Sequence, residues 1–201
     1  DSDCIFCFAS EYAGNAVAFL QMQKRTGVKL EVLPMCANGV VDLDALEGRL
    51  KEKRPIGRSL VALTHVQTDS SIVQPAAEVG ALARAHGAVF LLDACQSIGQ
   101  LPVNVRALGC DFASGTGRKW LRGPRGTGFL YARHGALPKC VGSEGLVGEP
   151  PLLDHASAHW TSRSSYEPRP GARRYEMWEF SPASHAGLAA AADECYAVGP
   201  E

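Results

Sequence analysis

The feature that most constrains this chain is a regular alternation of short apolar runs with helix-forming segments. Three runs are almost wholly apolar: residues 4–9, 59–64 and 88–92. Such runs are typical of strands that are buried on both faces of a parallel sheet. A helix is predicted from near Pro75 to Gly87, which is a crossover long enough to join two parallel strands. The pattern therefore predicts an α/β fold with helices over a mostly parallel sheet.

The rest of the chain continues this alternation before its regularity fades. Further strands are predicted at 29–33, 111–114 and 126–131, further helices at 12–25 and 42–53, and an alanine-rich helix before Gly199. Glycine, proline, serine and histidine are dense from about residue 134 to residue 172. Within this part, residues 142–172 are predicted to form a long irregular but ordered excursion, because Trp160 and Tyr166 lie among its polar residues.

Charge and composition narrow the possible partners and locations. The 201 residues carry 20 Lys and Arg against 21 Asp and Glu, a net charge of −1, so neither nucleic acid nor an anionic membrane is an expected partner. No apolar run approaches the length of a membrane span. The odd count of seven cysteines predicts reduced core thiols and a cytoplasmic location. Because the chain enters a core strand almost at once, we expect it to be a piece of a longer protein, which leaves a targeting peptide possible.

Polar side chains follow the predicted strands where ligands bind in open parallel sheets, beyond the carboxyl ends. Asp93 comes directly after five apolar residues, so its carboxylate is expected at that edge of the sheet. From position alone, a capping role for Asp93 is an equally good interpretation. Gln96, three residues later, either shares the same ligand or bonds a loop backbone.

A basic, glycine-rich loop follows the strand predicted at 111–114. Arg118, Lys119, Arg122 and Arg125 lie within eight residues, and no carboxylate occurs between Asp111 and Glu144. A solvated basic turn is the simpler interpretation. Glycines, however, allow a ligand to approach the backbone closely, and unpaired cations at a strand end suit a phosphate. Neighbouring arginines also favour the neutral lysine amine that Schiff-base chemistry needs.

Several other chemistries lack their sequence signatures. The glycines around Lys119 have neither the phosphate-loop nor the dinucleotide-binding spacing. Cys4 and Cys7 lie three apart on a predicted strand and thus face opposite sides, and no second ligand pair follows, so no metal site is predicted. Ser143 lacks the frame of a nucleophile elbow, so the sequence does not support a serine hydrolase.

Three segments together resemble the class V aminotransferases, which are pyridoxal 5'-phosphate (PLP) enzymes of fold type I. The segments are Thr64–Pro75, Asp93–Gln100 and Thr116–Phe129. The run from Arg118 to Gly126 is most similar to the branch of isopenicillin-N-epimerase-like proteins and ergothioneine-pathway carbon–sulfur lyases. Residues 172–179 are also similar to that branch. The resemblance implies a three-layer sandwich with a mostly parallel mixed sheet and PLP as the cofactor.

The resemblance also implies a role for particular residues. Lys119 matches the lysine that forms the internal aldimine with PLP. Asp93 matches the acid that pairs with the pyridinium nitrogen, and Gln96 matches the side chain that bonds the phenolic oxygen. Thr116 and Arg118 match the ligands of the cofactor phosphate.

Two further positions match less closely. Tyr12 lies where the related cysteine desulfurases place a histidine that stacks on the cofactor ring, and an aromatic side chain can stack without acting as an acid or base. Thr68 occupies a cofactor-contact position that is asparagine in the desulfurases. None of the seven cysteines can be assigned to the desulfurase nucleophile.

The resemblance sets expectations for the whole protein. Residues 1–201 are expected to be part of a PLP-binding large domain, without the family's preceding segment and its following small domain. The expected function is that of a carbon–sulfur lyase or an aminotransferase acting on a small amino acid, in a homodimer. The alternative is a catalytically incompetent, truncated relative that serves as a binding or assembly module.

Overall fold

The computed structural model describes residues 3–52, 58–134 and 154–199. Six strands form one sheet: β1 (Cys4–Phe8), β2 (Lys29–Leu33), β3 (Ser59–Thr64), β4 (Val89–Asp93), β5 (Phe112–Thr116) and β6 (Gly128–Ala132). Their order across the sheet is β2-β1-β3-β4-β5-β6. All neighbouring strands are parallel except β5 and β6, which are antiparallel. The predicted α/β fold with a mostly parallel mixed sheet is therefore confirmed.

Four α-helices accompany the sheet in the described residues. They are α1 (Ala13–Thr26), α2 (Leu43–Lys51), α3 (Ala76–Ala85) and α4 (Pro182–Val198). The Asp42 side chain caps α2 by accepting a hydrogen bond of 2.8 Å from the amide of Ala45. Gly27 ends α1 with a left-handed φ of 76°, a conformation that glycine adopts without strain. These signals explain why the predicted helices lie within a few residues of those observed.

Helices cover both faces of the sheet, which gives the predicted three layers. Phe6, Phe90 and their neighbours on one face belong to the same buried cluster as Leu46 of α2 and Val79 of α3. On the other face, Ile5 and the strand residues beside it pack around Phe19 of α1. Burial of these side chains is the main stabilising contribution to the sheet.

The interval predicted as an irregular excursion, 142–172, differs from the expectation in the part that the structure describes. Residues 158–168 form a hairpin of β7 (Ala158–Ser162) and β8 (Ser165–Pro168), between single-turn 3-10 helices at 155–157 and 171–175. Trp160 and Tyr166 are paired across this hairpin. Residues 142–153 lie outside the described residues. The hairpin forms because its two strands pair through backbone and cross-strand side-chain contacts. The glycine- and serine-rich composition of the interval did not indicate this pairing.

Two further expectations, on membrane spans and on the cysteines, can be compared with the structure. Among residues 3–52, 58–134 and 154–199, no helix combines the length and apolar character needed to cross a bilayer. The cysteines were predicted to be core thiols, and Cys4, Cys7 and Cys110 are indeed buried, but Cys36 is exposed. Cys36 lies in a turn after the β2 strand and not on an internal strand, which explains the difference.

Candidate active site

The carboxyl ends of β3 and β4 place two polar side chains side by side. Thr64 and Asp93 are paired in the sheet register, and Asp93 is only 9% exposed. The Oδ1 atom of Asp93 accepts a hydrogen bond of 2.9 Å from the amide of Cys95. Asp93 therefore does cap the turn that follows it. This hydrogen bond leaves the other lone pairs of the carboxylate available, so it does not exclude a ligand.

The amino end of α1 meets this edge because β1 ends nearby, at Phe8. Asn15, in the first turn of α1, donates from Nδ2 to Asp93 Oδ2 at 2.8 Å and to Glu11 Oε1 at 3.0 Å. Glu11 also accepts hydrogen bonds from the hydroxyl of Thr64 and, at 2.8 Å, from the amide of Tyr12. The edge thus carries a connected network that joins α1, β3 and β4.

Lys119 and Tyr12, which are far apart in sequence, lie close together at this edge. The Nζ atom of Lys119 is over the Tyr12 ring, 5.9 Å from its centroid. The Tyr12 side chain is 49% exposed, so its ring is accessible to a ligand. An amine beside an exposed aromatic ring is a suitable site for a planar carbonyl compound, because one group can bond it and the other can stack on it.

Gln96 and Thr68 also lie together. The Nε2 atom of Gln96 donates to the Thr68 hydroxyl at 3.2 Å. Thr68 is exposed and Gln96 is partly buried. The structure therefore brings two of the predicted cofactor contacts within hydrogen-bonding distance of each other, with polar atoms near the surface.

The basic loop around Lys119 is held by its own backbone. The amide of Gly117 donates to the Thr127 carbonyl at 2.9 Å, and the amide of Gly123 donates to the Gly117 carbonyl at 2.7 Å. Thr116 ends β5, with its hydroxyl 3.4 Å from the Thr127 carbonyl, and Arg118 is exposed. The loop that carries Lys119 therefore also offers a hydroxyl group and a cation, both of which are suited to bind phosphate.

A second loop packs tightly against the Lys119 loop at Gly99. The φ of Gly99 is 91°, and a Cβ atom there would lie 2.7 Å from the backbone of Trp120 and Leu121. Only glycine fits without movement of one of the two loops. This close approach fixes Lys119 relative to the segment that carries Asp93 and Gln96.

Three cysteines, at the site and elsewhere in the sheet, are held in the protonated form. Burial, together with the Asp93 carboxylate, raises the pKa of Cys95 to about 12, although the Lys119 charge opposes this shift. Burial also raises the pKa of Cys7 and the pKa of Cys110 to about 11. A thiolate, and not a thiol, is the nucleophilic form of cysteine. These three cysteines therefore do not supply a nucleophile at neutral pH.

A buried histidine, His65, is hydrogen-bonded to the backbone at the same edge of the sheet. The His65 amide donates to the Asp93 carbonyl at 3.0 Å, and its Nδ1 atom is 3.0 Å from the Ser97 hydroxyl. Burial lowers the pKa of His65 because the charged ring would lose its hydration. His65 is therefore a neutral structural group, and its ring orientation is set by Ser97.

The side chains at this edge are chemically suited to PLP. They offer an amine for an aldehyde, a carboxylate for a ring nitrogen, an aromatic ring for stacking and a loop with hydroxyl and guanidinium groups for a phosphate. In the described residues, no group of three or more His, Cys, Asp and Glu side chains could hold a metal ion.

Comparison with known proteins decides the family. The model of the family described as aminotransferase class-V matches residues 1–159. The chain belongs to the aminotransferase class V family. A probable cysteine desulfurase from Methanothermobacter thermautotrophicus is 33% identical over 191 residues, which cover 94% of this chain and 44% of that protein. A cysteine desulfurase from Escherichia coli is 36% identical over 143 residues, covering 71% of this chain and 34% of that enzyme.

Solved structures of similar proteins confirm the fold. The apo structure of a cysteine desulfurase from Thermococcus onnurineus has a TM-score of 0.83 at 28% identity, covering 99% of this chain and 46% of that one. The cystine C–S lyase C-DES, in complex with its product cysteine persulfide, has a TM-score of 0.81 at 26% identity, with coverage of 99% and 51%. This member of the class V family therefore spans about half the length of the relatives that it matches.

Sequence reasoning missed part of the site of this class V chain. Asn15 and Glu11 flank Tyr12, but neither was identified as a site residue, because only their hydrogen bonds to other elements reveal them. Gln67 is a further case: its Nε2 atom is buried and has no hydrogen-bond partner among the described residues. The sequence signal for this network is limited to an acidic residue just before a helix and an amide in its first turn, after a buried strand.

Proposed function

We propose that this class V chain forms the cofactor-binding part of a PLP-dependent carbon–sulfur lyase that acts on a small amino acid. The observation that carries the proposal is the meeting of Lys119, Tyr12 and Asp93 at one edge of the sheet, although they come from three separate segments of the chain. The similarity to cysteine desulfurases and to a cystine C–S lyase supports the reaction class.

The proposed roles follow the chemistry of each side chain. Lys119 Nζ would bond the cofactor aldehyde, and Tyr12 would stack on its ring. Asp93 would pair with the ring nitrogen, while Gln96, beside Thr68, would donate to the phenolic oxygen. When bound, PLP supplies an electron sink for negative charge at the substrate α-carbon.

The cofactor phosphate is assigned to the basic loop. Thr116 and Arg118 lie three residues and one residue before Lys119 and offer a hydroxyl group and a guanidinium group. Charge-assisted hydrogen bonds to such donors are roughly twice as strong as neutral ones. Because glycines surround these residues, the backbone of the loop can also approach the phosphate.

Lys119 would also move a proton. When not bonded to the aldehyde, the Lys119 amine would act as a general base that takes the proton from the substrate α-carbon. In an elimination, the carbon–sulfur electron pair leaves with the β-sulfur, which then takes a proton. The protonated state of Cys95 keeps that thiol from competing as a nucleophile.

A finer assignment within the family rests on the run from Arg118 to Gly126. We propose the branch of isopenicillin-N-epimerase-like proteins and ergothioneine-pathway carbon–sulfur lyases, because this run is similar to theirs. A homodimer is proposed as well: Trp160 is 79% exposed and Tyr196 is 90% exposed, and large exposed aromatic side chains are typical of surfaces that bind another protein. Measurement of the molecular mass in solution tests this, and an active monomer would contradict it.

Chemical trapping tests the cofactor role directly. The protein is mixed with PLP, reduced with borohydride and digested, and the modified peptide is identified by mass spectrometry. We expect a phosphopyridoxyl group on Lys119, and we expect Lys119→Ala to lose both this adduct and the visible absorbance band. Lys24→Ala, which replaces an exposed helical lysine, is the control and should retain both. Protein that binds no PLP, or an adduct only on other lysines, would favour the incompetent relative over the enzyme.

A further inference from the structure

Asn15 occupies an unusual position, because its side-chain amide lies between two carboxylates. Its Nδ2 atom donates to Asp93 Oδ2 at 2.8 Å and to Glu11 Oε1 at 3.0 Å. An ionised carboxylate can only accept hydrogen bonds, so the NH2 group, and not the carbonyl oxygen, must face both partners. The two hydrogens of this group match the two acceptors, one each.

Asn15 thus bridges Asp93 and Glu11. Glu11 lies just before α1 and is itself held by hydrogen bonds. Glu11 accepts from the amide of Tyr12 at 2.8 Å and from the hydroxyl of Thr64, which is 7% exposed. The backbone of Asn15 is fixed too, since its amide donates to the Tyr12 carbonyl at 3.0 Å. Asn15 therefore has little freedom to turn away from Asp93.

The bridge restricts Asp93 without neutralising it. The identified donors to Asp93 are all neutral: Asn15 donates to Oδ2, the Cys95 amide donates to Oδ1, and the Cys95 thiol also bonds the carboxylate. In the part of the chain that the structure describes, no Lys, Arg or His side chain forms an ion pair with Asp93. These neutral donors set the plane of the carboxylate, which has about four acceptor sites and so keeps one for a ligand.

We propose that Asn15 is a positioning residue, which holds the Asp93 carboxylate in the orientation that pairs with the cofactor ring nitrogen, with Glu11 as its anchor. This inference rests on the proposed PLP function. Asn15 acts through Asp93 and touches no reacting atom. The loss of its amide leaves Asp93 free to rotate and places two carboxylates together without a donor between them.

The test compares PLP with an analogue in which carbon replaces the ring nitrogen. This analogue keeps the aldehyde, the phosphate and the stacking face, but it offers Asp93 no ring nitrogen. We expect Asn15→Ala to weaken PLP binding roughly tenfold, which is the usual effect of removing a hydrogen bond to a charged group. Affinity for the analogue should stay within about twofold. Circular dichroism of the bound cofactor band should also change in Asn15→Ala, because the ring loses its fixed orientation.

Asn38→Ala is the matched control, since Asn38 is an exposed asparagine whose side chain, among the described residues, accepts a single local backbone hydrogen bond, from Val40 at 3.1 Å. It should bind PLP and the analogue as the unaltered protein does. Asn15→Asp, which has nearly the same size, serves as the second variant and should also lose affinity for PLP but not for the analogue.

The outcomes separate this inference from the proposed function. Equal losses for PLP and for the analogue, or no loss for either, overturn the positioning role while the PLP function stands. A failure of both Asn15 variants to fold overturns it as well, because Asn15 would then be a structural residue. If the unaltered protein binds no PLP, the proposed function and this inference fall together.

Discussion

Two buried aspartates, Asp93 and Asp111, lie at opposite ends of neighbouring strands and are treated differently by the fold. Asp111 precedes β5 and is saturated: it accepts from the amide of Phe90 at 3.0 Å and pairs with the guanidinium of Arg133. Asp93 ends β4, and its identified donors are the neutral groups of Asn15 and Cys95. One charge is compensated within the chain, and the other is not compensated by any described residue.

The difference shows which buried carboxylate remains without a positive partner and can therefore bind a positively charged group of a ligand. A buried carboxylate costs free energy unless it is paired, so an unpaired one that the fold holds in place suggests a partner from outside. The Asp111–Arg133 pair links the residue before β5 to the residue after β6 and has a structural role. The Asp93 edge holds the residues that were assigned to the cofactor.

The sharpest test of this comparison is the same substitution at both positions. Asp93→Asn should weaken PLP binding roughly a thousandfold, since loss of a buried charge partner costs about 4 kcal/mol. The unfolding free energy of the cofactor-free protein should fall by only about 1 kcal/mol, because the partners of Asp93 are neutral donors and only one of them loses its acceptor oxygen. Equilibrium binding and denaturant unfolding measure the two quantities. A large loss of stability with normal PLP binding would reverse the comparison.

Asp111→Asn should have the opposite effect: it should lower the unfolding free energy and leave PLP binding unchanged. It leaves Arg133 without its counter-charge, and because the Arg133 side chain is 38% exposed, water recovers part of the loss. We therefore expect a destabilisation of about 2 kcal/mol, below that of a fully buried pair. The folded protein should still form the Lys119 adduct after borohydride reduction. A protein of unchanged stability would show that the pair is not structural.

The third test concerns the contact between the two loops at the Asp93 edge. Gly99→Ala places a Cβ atom 2.7 Å from the backbone at Trp120, so we expect a loss of about 2 kcal/mol and weaker PLP binding. Gly87→Ala is the control, because Gly87 also has a positive φ, 70°, but open space around the added atom. It should cost about 1 kcal/mol of backbone strain and leave binding unchanged. Equal effects of the two variants on PLP binding would show that the contact at Gly99 does not fix Lys119 relative to Asp93.

The smallest expected effect is a pH dependence of stability at His65. Burial lowers its pKa in the folded protein, so the unfolded chain binds the proton more tightly. Stability is complete above the unfolded pKa of about 6.5 and declines as the pH falls below it, by at most about 1.4 kcal/mol per pH unit. Denaturant unfolding between about pH 7.5 and pH 5 measures this slope.

Two histidine variants identify the source of that slope. His65→Gln should flatten the decline, whereas His159→Gln, at an exposed hairpin position, should not. An unchanged slope in His65→Gln would assign the decline to other groups and remove His65 from the support of the Asp93 edge.

The fold could be predicted well where local and global preferences agree. The continuous apolar runs at 59–64 and 88–92 became central parallel strands, because only strands covered on both faces need such runs. The hairpin at 158–168 was not predicted, since its strands are only five and four residues long and almost wholly exposed. Its pairing depends on contacts across a turn and not on burial.

The site divides in a similar way. Asp93 and Lys119 were identifiable from their positions at strand ends and in a glycine-rich loop, although their roles remain predictions. Asn15 and Glu11 were not identifiable, because their significance comes from hydrogen bonds to other elements. The partial burial of Cys95 and its protonated state likewise depend on its neighbours in space.

The sequence by itself determined the alternation of strands and helices, the family, and the residue types that meet at the carboxyl edge, because hydrophobic periodicity and motif spacing are local properties. The tertiary structure alone decided which charges are compensated. Asp93 and Asp111 both adjoin buried strands, and no local pattern distinguishes them. Only the meeting of Asp111 with Arg133, and of Asp93 with Asn15, separates a structural carboxylate from one that is free to take a ligand.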